Sequence, residues 1–274
     1  MVSKQQFDEE SLSLHEGRVS QYRAKGYVLL PKLVSQAELA VLREEIDGLF
    51  AMERLVHPDN LRAQGRETID GGYVVDRLDP LIDVAPGIRR LATSPSVLEK
   101  LGELMGEEVL LFKDKLIYKP PGATGYRTHQ DYTYWVELPA PGECIVSLAV
   151  ALDDTTAGNG ATEFFPGCHS RHLLDAKTPE DVFAPDKGLI ESASELEAIE
   201  PEMVPLEAGD GVAFSSLTPH RSEANLSGGP RRQLFLTYAA ARYGDLYEHY
   251  YSLFHGYLRN DRERAGRGAQ TFFS

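Results

Sequence analysis

The chain has 274 residues, 42% of them hydrophobic, and a formal net charge of -14. That length supports one large domain with a substantial core, or two small ones, and no linker divides it. Strong negative charge with no long Lys/Arg run argues against nucleic acid and against an anionic membrane surface as partners, and no apolar stretch is long enough for a transmembrane helix.

Apolar residues recur at helical spacing over Glu10–Lys25 and again over Ser35–Leu55, where Ser35 and Glu38 form a capping-box pattern. Between them Tyr27–Leu30 reads as a short strand, and Gly65–Asp79 as a loop or hairpin. Ser94-Pro95-Ser96 opens a helix toward Met105, with serine as cap and proline in the first turn. From there strands dominate: Val109–Lys119, Cys144–Leu152, Thr162–Phe165, Gly211–Phe214 and Arg232–Ala241. Short strands following N-terminal helices predict a mainly β fold with supporting α-helices, built on a double-stranded β-helix or cupin-like jelly roll. The expected layout is a single domain over 1–274, with a helical part to about 107, a jelly-roll core over about 108–243 and a C-terminal tail over 244–274. The acidic, proline-containing stretch Ala176–Glu202 has the length of an inserted lid. Cys144 and Cys168 are too few for a disulfide framework, and Met1–Glu10 lacks an apolar signal core, so a cytoplasmic protein is expected. Oligomeric state is not legible in the sequence.

The chemistry concentrates in His129, Asp131 and His220. His129 and Asp131 lie two apart in Tyr126-Arg127-Thr128-His129-Gln130-Asp131, and on an extended strand i and i+2 point the same way. His220 comes in Ser216-Leu217-Thr218-Pro219-His220, directly after the strand-like stretch Gly211–Phe214, and can be carried alongside by a barrel. Two imidazoles and one carboxylate with open positions are the ligand set of non-haem Fe(II) oxygenases, whereas structural zinc takes four N/S ligands. A histidine near an aspartate is common on surfaces, so the pair needs support from elsewhere in the chain.

That support comes from three ordered stretches: Phe112–Gly122; Leu152-Asp153-Asp154 through Phe165-Pro166-Gly167-Cys168-His169; and His220-Arg221-Ser222-Glu223-Ala224-Asn225-Leu226-Ser227 leading to Arg231-Arg232 and an aromatic strand. Together they resemble the phytanoyl-CoA dioxygenase branch of the Fe(II)/2-oxoglutarate oxygenases over roughly Val28–Tyr243, with Cys168 standing where the family usually has serine. The resemblance implies Fe(II) held by His129, Asp131 and His220, with 2-oxoglutarate and O2 as cosubstrates. It implies hydroxylation of an unactivated C–H bond with release of succinate and CO2. Related halogenases lack the carboxylate, so Asp131 disfavours halogenation. The distal carboxylate of 2-oxoglutarate needs a cation in a dry barrel, and an arginine fork matches it. Arg231 and Arg232 point to opposite strand faces; the family spacing, eleven residues past the distal histidine, selects Arg231, and Ser222 is expected to add a hydroxyl.

Beyond the iron, Arg127, Tyr132, Tyr134 and Trp135 are candidate substrate contacts, with core or rim packing as the competing role for each. His169 is expected to be structural. The acidic chain favours a small free metabolite over a CoA thioester. The same iron chemistry diverted to desaturation, cyclisation or epimerisation stays open, as does a cupin-like metal-binding isomerase or binding protein without O2 activation; that last reading leaves Asn225 and Arg231 unexplained.

Overall fold

The long strands show why the protein builds two layers on a sheet. In β11 (Arg231–Ala240), Leu234, Leu236 and Tyr238 alternate with Gln233, Phe235 and Thr237, so one face is apolar and the other mixed. The first set joins the core packed under the helices, with Leu39, Leu42 and Ile46 of α2 (Gln36–Phe50), Ile88 of α3 (Pro86–Ala92) and Leu101 of α4 (Pro95–Met105). The second set looks into the space between two sheets.

A computed structural model describes residues 16–169, 174, 190 and 194–269. Helix α1 is described over 16–25, followed by β1 (Tyr27–Leu30), β2 (Ala63–Glu67), β3 (Tyr73–Leu78) and β4 (Val109–Lys119). Then come β5 (Tyr126–His129), β6 (Ile145–Ala151), β7 (Thr162–Phe164), the single turn α5 (Ser194–Glu197), β8 (Glu202–Val204), β9 (Gly211–Ser215), β10 (His220–Ser222) and, after β11, helix α6 (Tyr247–Arg264). One sheet has seven strands in the order β1-β9-β6-β11-β4-β3-β2; the other has four, β5-β10-β7-β8. Every strand pairing among the described residues is antiparallel. Tyr27, Ala149, Ala151, Phe164, Val212, Phe214 and Phe235 fill the interior between the sheets, the jelly-roll arrangement expected from the strand pattern.

Ser35 caps α2 with the full capping box, its Oγ accepting from Glu38 N while the Glu38 carboxylate accepts from Ser35 N. The helix ends at Phe50 rather than Leu55, because residues 52–55 turn to bury Leu55. Gly65–Asp79 is a hairpin, β2–β3, and it extends the large sheet at its edge, so the region to 107 is not only helical. The C-terminal stretch is not a plain tail: α6 docks its buried Tyr250, Tyr251 and Phe254 against Phe112 and Trp135. The lid expected over Ala176–Glu202 falls largely outside the described residues. Within it Ile190 N donates to Thr128 O, and just before it Leu174 N donates to Gln130 Oε1, both beside β5.

Candidate metal and cosubstrate site

Strand pairing brings the two histidines together. His129 at the end of β5 is the register partner of His220 at the start of β10, and their rings lie 4.3 Å apart between centroids. Such a close approach of β5 and β10 needs Gly125, where a Cβ would meet Ser222 O at 2.2 Å. Gln130 is extended and turns away, donating from Nε2 to Leu217 O at 2.6 Å, so Asp131 returns to the side of His129. Asp131 Oδ1 lies 3.6 Å from His129 Nε2, and one donor atom from each of His129, Asp131 and His220 lies within 4.8 Å of the others.

The main chain fixes both imidazole tautomers. His129 Nδ1 faces Arg127 O at 2.8 Å and His220 Nδ1 faces Thr218 O at 3.0 Å. Only N–H can satisfy a carbonyl, which leaves each Nε2 as a lone pair aimed into the cluster. Burial, then neighbouring His129, pushes His220 down to about 4, so it is neutral at physiological pH. Burial opposes ionisation of Asp131, yet its neighbours His129 and His220 and the Lys115 charge hold it well below the usual carboxylate range. Ser147 Oγ sits 3.5 Å from Asp131 Oδ2 and 3.3 Å from Thr237 Oγ1, steadying the carboxylate from behind. An anionic oxygen and oriented imidazole nitrogens on one side, with no fourth His, Cys, Asp or Glu donor in the cluster among the described residues, fit a divalent transition metal with open positions.

A small cavity runs from these histidines to Arg231, lined also by Tyr126, Thr162, Ser222 and Phe235. Arg231 is 1% exposed; its Nη1 donates to Gln233 Oε1 at 2.7 Å, while its Nε has no hydrogen-bond partner among the described residues. Burial, with Arg66 adding to it, pushes this guanidinium down to about 10. Burial, then Arg231 and Arg66, pushes Lys119 down to about 6. Lys119 Nζ donates to Ser222 Oγ at 3.0 Å and Glu223 O at 2.6 Å. This pocket therefore holds buried positive charge short of an anion, the condition a dicarboxylate would relieve. Arg232 faces the other way, paired with Asp153 and Asp47. Asn225 is buried in the turn before β11, donating to Lys119 O and Gly229 O and accepting from Ser227, so it shapes the loop that delivers Arg231. His169 packs under Gly26, where φ is +83° and a Cβ would meet the ring at 2.6 Å; its Nε2 faces Arg23 O.

Residues 22–233 match the family described as Phytanoyl-CoA dioxygenase (PhyH). The chain is also 32% identical over 240 residues to the methylphosphonate hydroxylase of Gimesia maris, covering 88% of this chain and 86% of that one. It belongs to the phytanoyl-CoA dioxygenase family. A second family relative, the 2-aminoethylphosphonate dioxygenase of an uncultured bacterium, is 27% identical over 222 residues, 80% of this chain and 79% of its own. Among solved structures, the epimerase SnoN, crystallised with Fe3+, alpha ketoglutarate and nogalamycin RO, superposes with a TM-score of 0.69 at 25% identity, over 84% of this chain and 85% of that one.

In this family member a second, wider cavity of about 510 Å³ opens beside the histidines. His129, Asp131, Arg127, Tyr134 and Trp135 line it together with the β2–β3 hairpin and α6. Tyr132 does not: it packs against Gly142 and Leu217 and joins the aromatic cluster beneath α6. The physical reason is local. Asp131–Tyr134 forms a 3-10 turn, in which i and i+3 share a side, so Tyr134 follows Asp131 into the cavity while Tyr132 rotates away. Arg127 is exposed at the mouth and gives its carbonyl to His129. Trp135 is only 2% exposed, edge-on to Phe112. The sequence reading passed over Arg77, Lys115 and Ser147. The signal was present in β4, where Lys113, Lys115 and Lys119 share one strand parity, on the face that looks inward.

Proposed function

We infer that this protein is a non-haem Fe(II)- and 2-oxoglutarate-dependent dioxygenase that hydroxylates a C–H bond of a small molecule. The observation that carries this reading is the pairing of the His129, Asp131 and His220 cluster with the partnerless, buried Arg231 Nε across one small cavity. His129 Nε2, His220 Nε2 and an Asp131 oxygen would hold the metal; Arg231, with Ser222 beside it, would hold the distal carboxylate of the cosubstrate. When bound, iron and 2-oxoglutarate supply the oxidation: one atom of O2 enters succinate as CO2 leaves, and the other enters the substrate C–H bond.

The protein's own residues do the positioning. Arg127 O and Thr218 O fix the imidazoles, and Ser147 steadies Asp131. Phe164 and Phe214 pack on the His220 ring and keep water from that side. Arg127, Tyr134 and Trp135 line the substrate cavity, and a volume of about 510 Å³ suits a small metabolite. Hydroxylation is preferred over desaturation, cyclisation or epimerisation because the relative at 32% identity is named a hydroxylase, whereas the epimerase shares 25%. A cupin-like protein without O2 chemistry has no use for Arg231 in its dry pocket. Free thiols at Cys144 and Cys168 support a cytoplasmic location.

Anaerobic addition of Fe(II) and 2-oxoglutarate tests the reading. A weak visible charge-transfer band is expected in the wild type and is expected to be lost in Arg231→Ala. Absence of the band in the wild type overturns the assignment.

A further inference from the structure

The wall shared by β3 and β4 carries more positive charge than its own partners absorb. Four cations and two carboxylates from these strands and the adjoining hairpin line the wide cavity: Arg66, Arg77, Lys113 and Lys115 against Asp76 and Asp79. Arg66 is paired with Asp76 and also donates to Thr124 O and Gly125 O. Lys113 Nζ is paired with Asp79 Oδ2 at 2.5 Å. Arg262, farther along the cavity, donates to Asn60 O and Ala63 O. Arg77 and Lys115 alone of these make no hydrogen bond among the described residues, and Arg77 Nε is buried without an acceptor. Asp131, the other carboxylate near Lys115, belongs to the metal cluster.

Register explains how the two cations come to act as a pair. Arg77 of β3 is opposite Ile117 of β4, and Lys115 is the next residue on the same face of β4, a diagonal neighbour of Arg77. Lys115 lies over the Phe235 ring at 5.1 Å and borders both cavities, which places it where substrate and cosubstrate meet. Trp135, nearly fully buried, lines the same cavity, and its indole N–H also lacks an acceptor. Buried donors of this kind are normally satisfied within the protein, as those of Arg66, Lys113 and Arg262 are in part. Two cations without a hydrogen-bonded anion among the described residues, Arg77 having only the through-space attraction of Asp79 and Asp76, sit next to the reacting centre in a chain of net charge -14.

We propose that the wide cavity takes a small tetrahedral oxyanion of phosphonate type, with its charged head between Arg77 and Lys115 and its carbon turned toward the metal face. Two cations, one a guanidinium fork and one a point charge, match a compact dianion better than a single carboxylate. The anion is distinct from the cosubstrate, whose carboxylate belongs to Arg231; Arg77 does not border that smaller cavity. This inference rests on the dioxygenase reading for the identity of the reacting centre. It does not rest on it for the anion site itself.

Calorimetry on the anaerobic Fe(II)·2-oxoglutarate protein tests it, using methylphosphonate, ethylphosphonate, 2-aminoethylphosphonate and phenylphosphonate, with methanesulfonate as monoanion, tert-butanol as neutral probe and tetramethylammonium as cation. At least one phosphonate is expected to bind tenfold or more tighter than methanesulfonate, and the uncharged and cationic probes not measurably. Arg77→Gln and Lys115→Met are each expected to weaken that phosphonate at least tenfold, with the charge-transfer band of Arg77→Gln unchanged as a control for folding and for cosubstrate binding. Lys115→Arg is expected to restore most of the affinity. The proposal is overturned if no phosphonate binds, if the neutral or cationic probe binds as well, or if both variants bind phosphonate as the wild type does. If the wild type shows no charge-transfer band, the dioxygenase reading falls, while phosphonate binding to the metal-free protein still decides the anion site.

Discussion

Burial holds His220 down to about 4 against an ordinary value of 6.5, which makes a stability signature available without any substrate. Between those values the unfolded chain takes up a proton that the folded chain refuses, so the metal-free protein loses stability as pH falls from about 6.5 toward 4. The full effect is on the order of 3 kcal/mol. Denaturant titrations of metal-free protein across that window are expected to show this slope, and His220→Gln to flatten it; an equally steep slope in the variant would contradict the burial argument. The same residue shows what a linear reading reaches. His129 and Asp131 were legible as a pair because i and i+2 share a side across one extended residue, Gln130. For Tyr132, a candidate contact with core packing as its alternative role, the structure gives packing, because a three-residue period takes over at Asp131.

At the scale of elements, α6 is the piece whose role the sequence hid. Its buried side chains are mostly aromatic with polar tips, and its partners lie more than a hundred residues away. Tyr251 OH bonds Asp79 Oδ1 at 2.9 Å and Asp114 O at 2.8 Å and accepts from Asp114 N at 3.1 Å, tying α6 to β4 and to the loop after β3. Tyr247 OH donates to Asp114 Oδ1 at 2.7 Å, and Lys113 Nζ lies 5.0 Å from the Tyr250 ring. Tyr251→Phe strands buried polar groups and is expected to destabilise the protein by about 1–3 kcal/mol. Because Tyr250, Phe254 and Tyr257 line the cavity, the substrate KM is expected to rise while 2-oxoglutarate affinity holds. Chemical denaturation and steady-state kinetics with each ligand varied check the two halves; an unchanged midpoint would show that α6 is held elsewhere. The α2 cap, in contrast, was readable from Ser35 and Glu38 alone, because a capping box is closed within four residues.

For the whole molecule, metal and cosubstrate bind only the folded state, so together they stabilise it by mass action. At a thousandfold excess over Kd each bound ligand contributes about 4 kcal/mol, which for a chain of this size is a rise in Tm of roughly 10 °C. Thermal unfolding with Mn(II) as a redox-silent metal plus 2-oxoglutarate is expected to show that rise in the wild type and little of it in Asp131→Ala. A full rise in the variant would remove Asp131 from the ligand set. The sequence by itself determined the strand-rich fold and the residue types of the metal cluster, because side-chain parity and short-range caps are local. It also showed that only one of Arg231 and Arg232 can look inward, since neighbours on a strand face opposite ways; the choice of Arg231 came from the family spacing. Only the tertiary structure decided that His220 stands in register with His129, that α6 walls the cavity, and that Arg77 and Lys115 make no hydrogen bond among the described residues. Those outcomes depend on pairing between strand residues 38 to 96 positions apart and on which carboxylates other cations have already claimed.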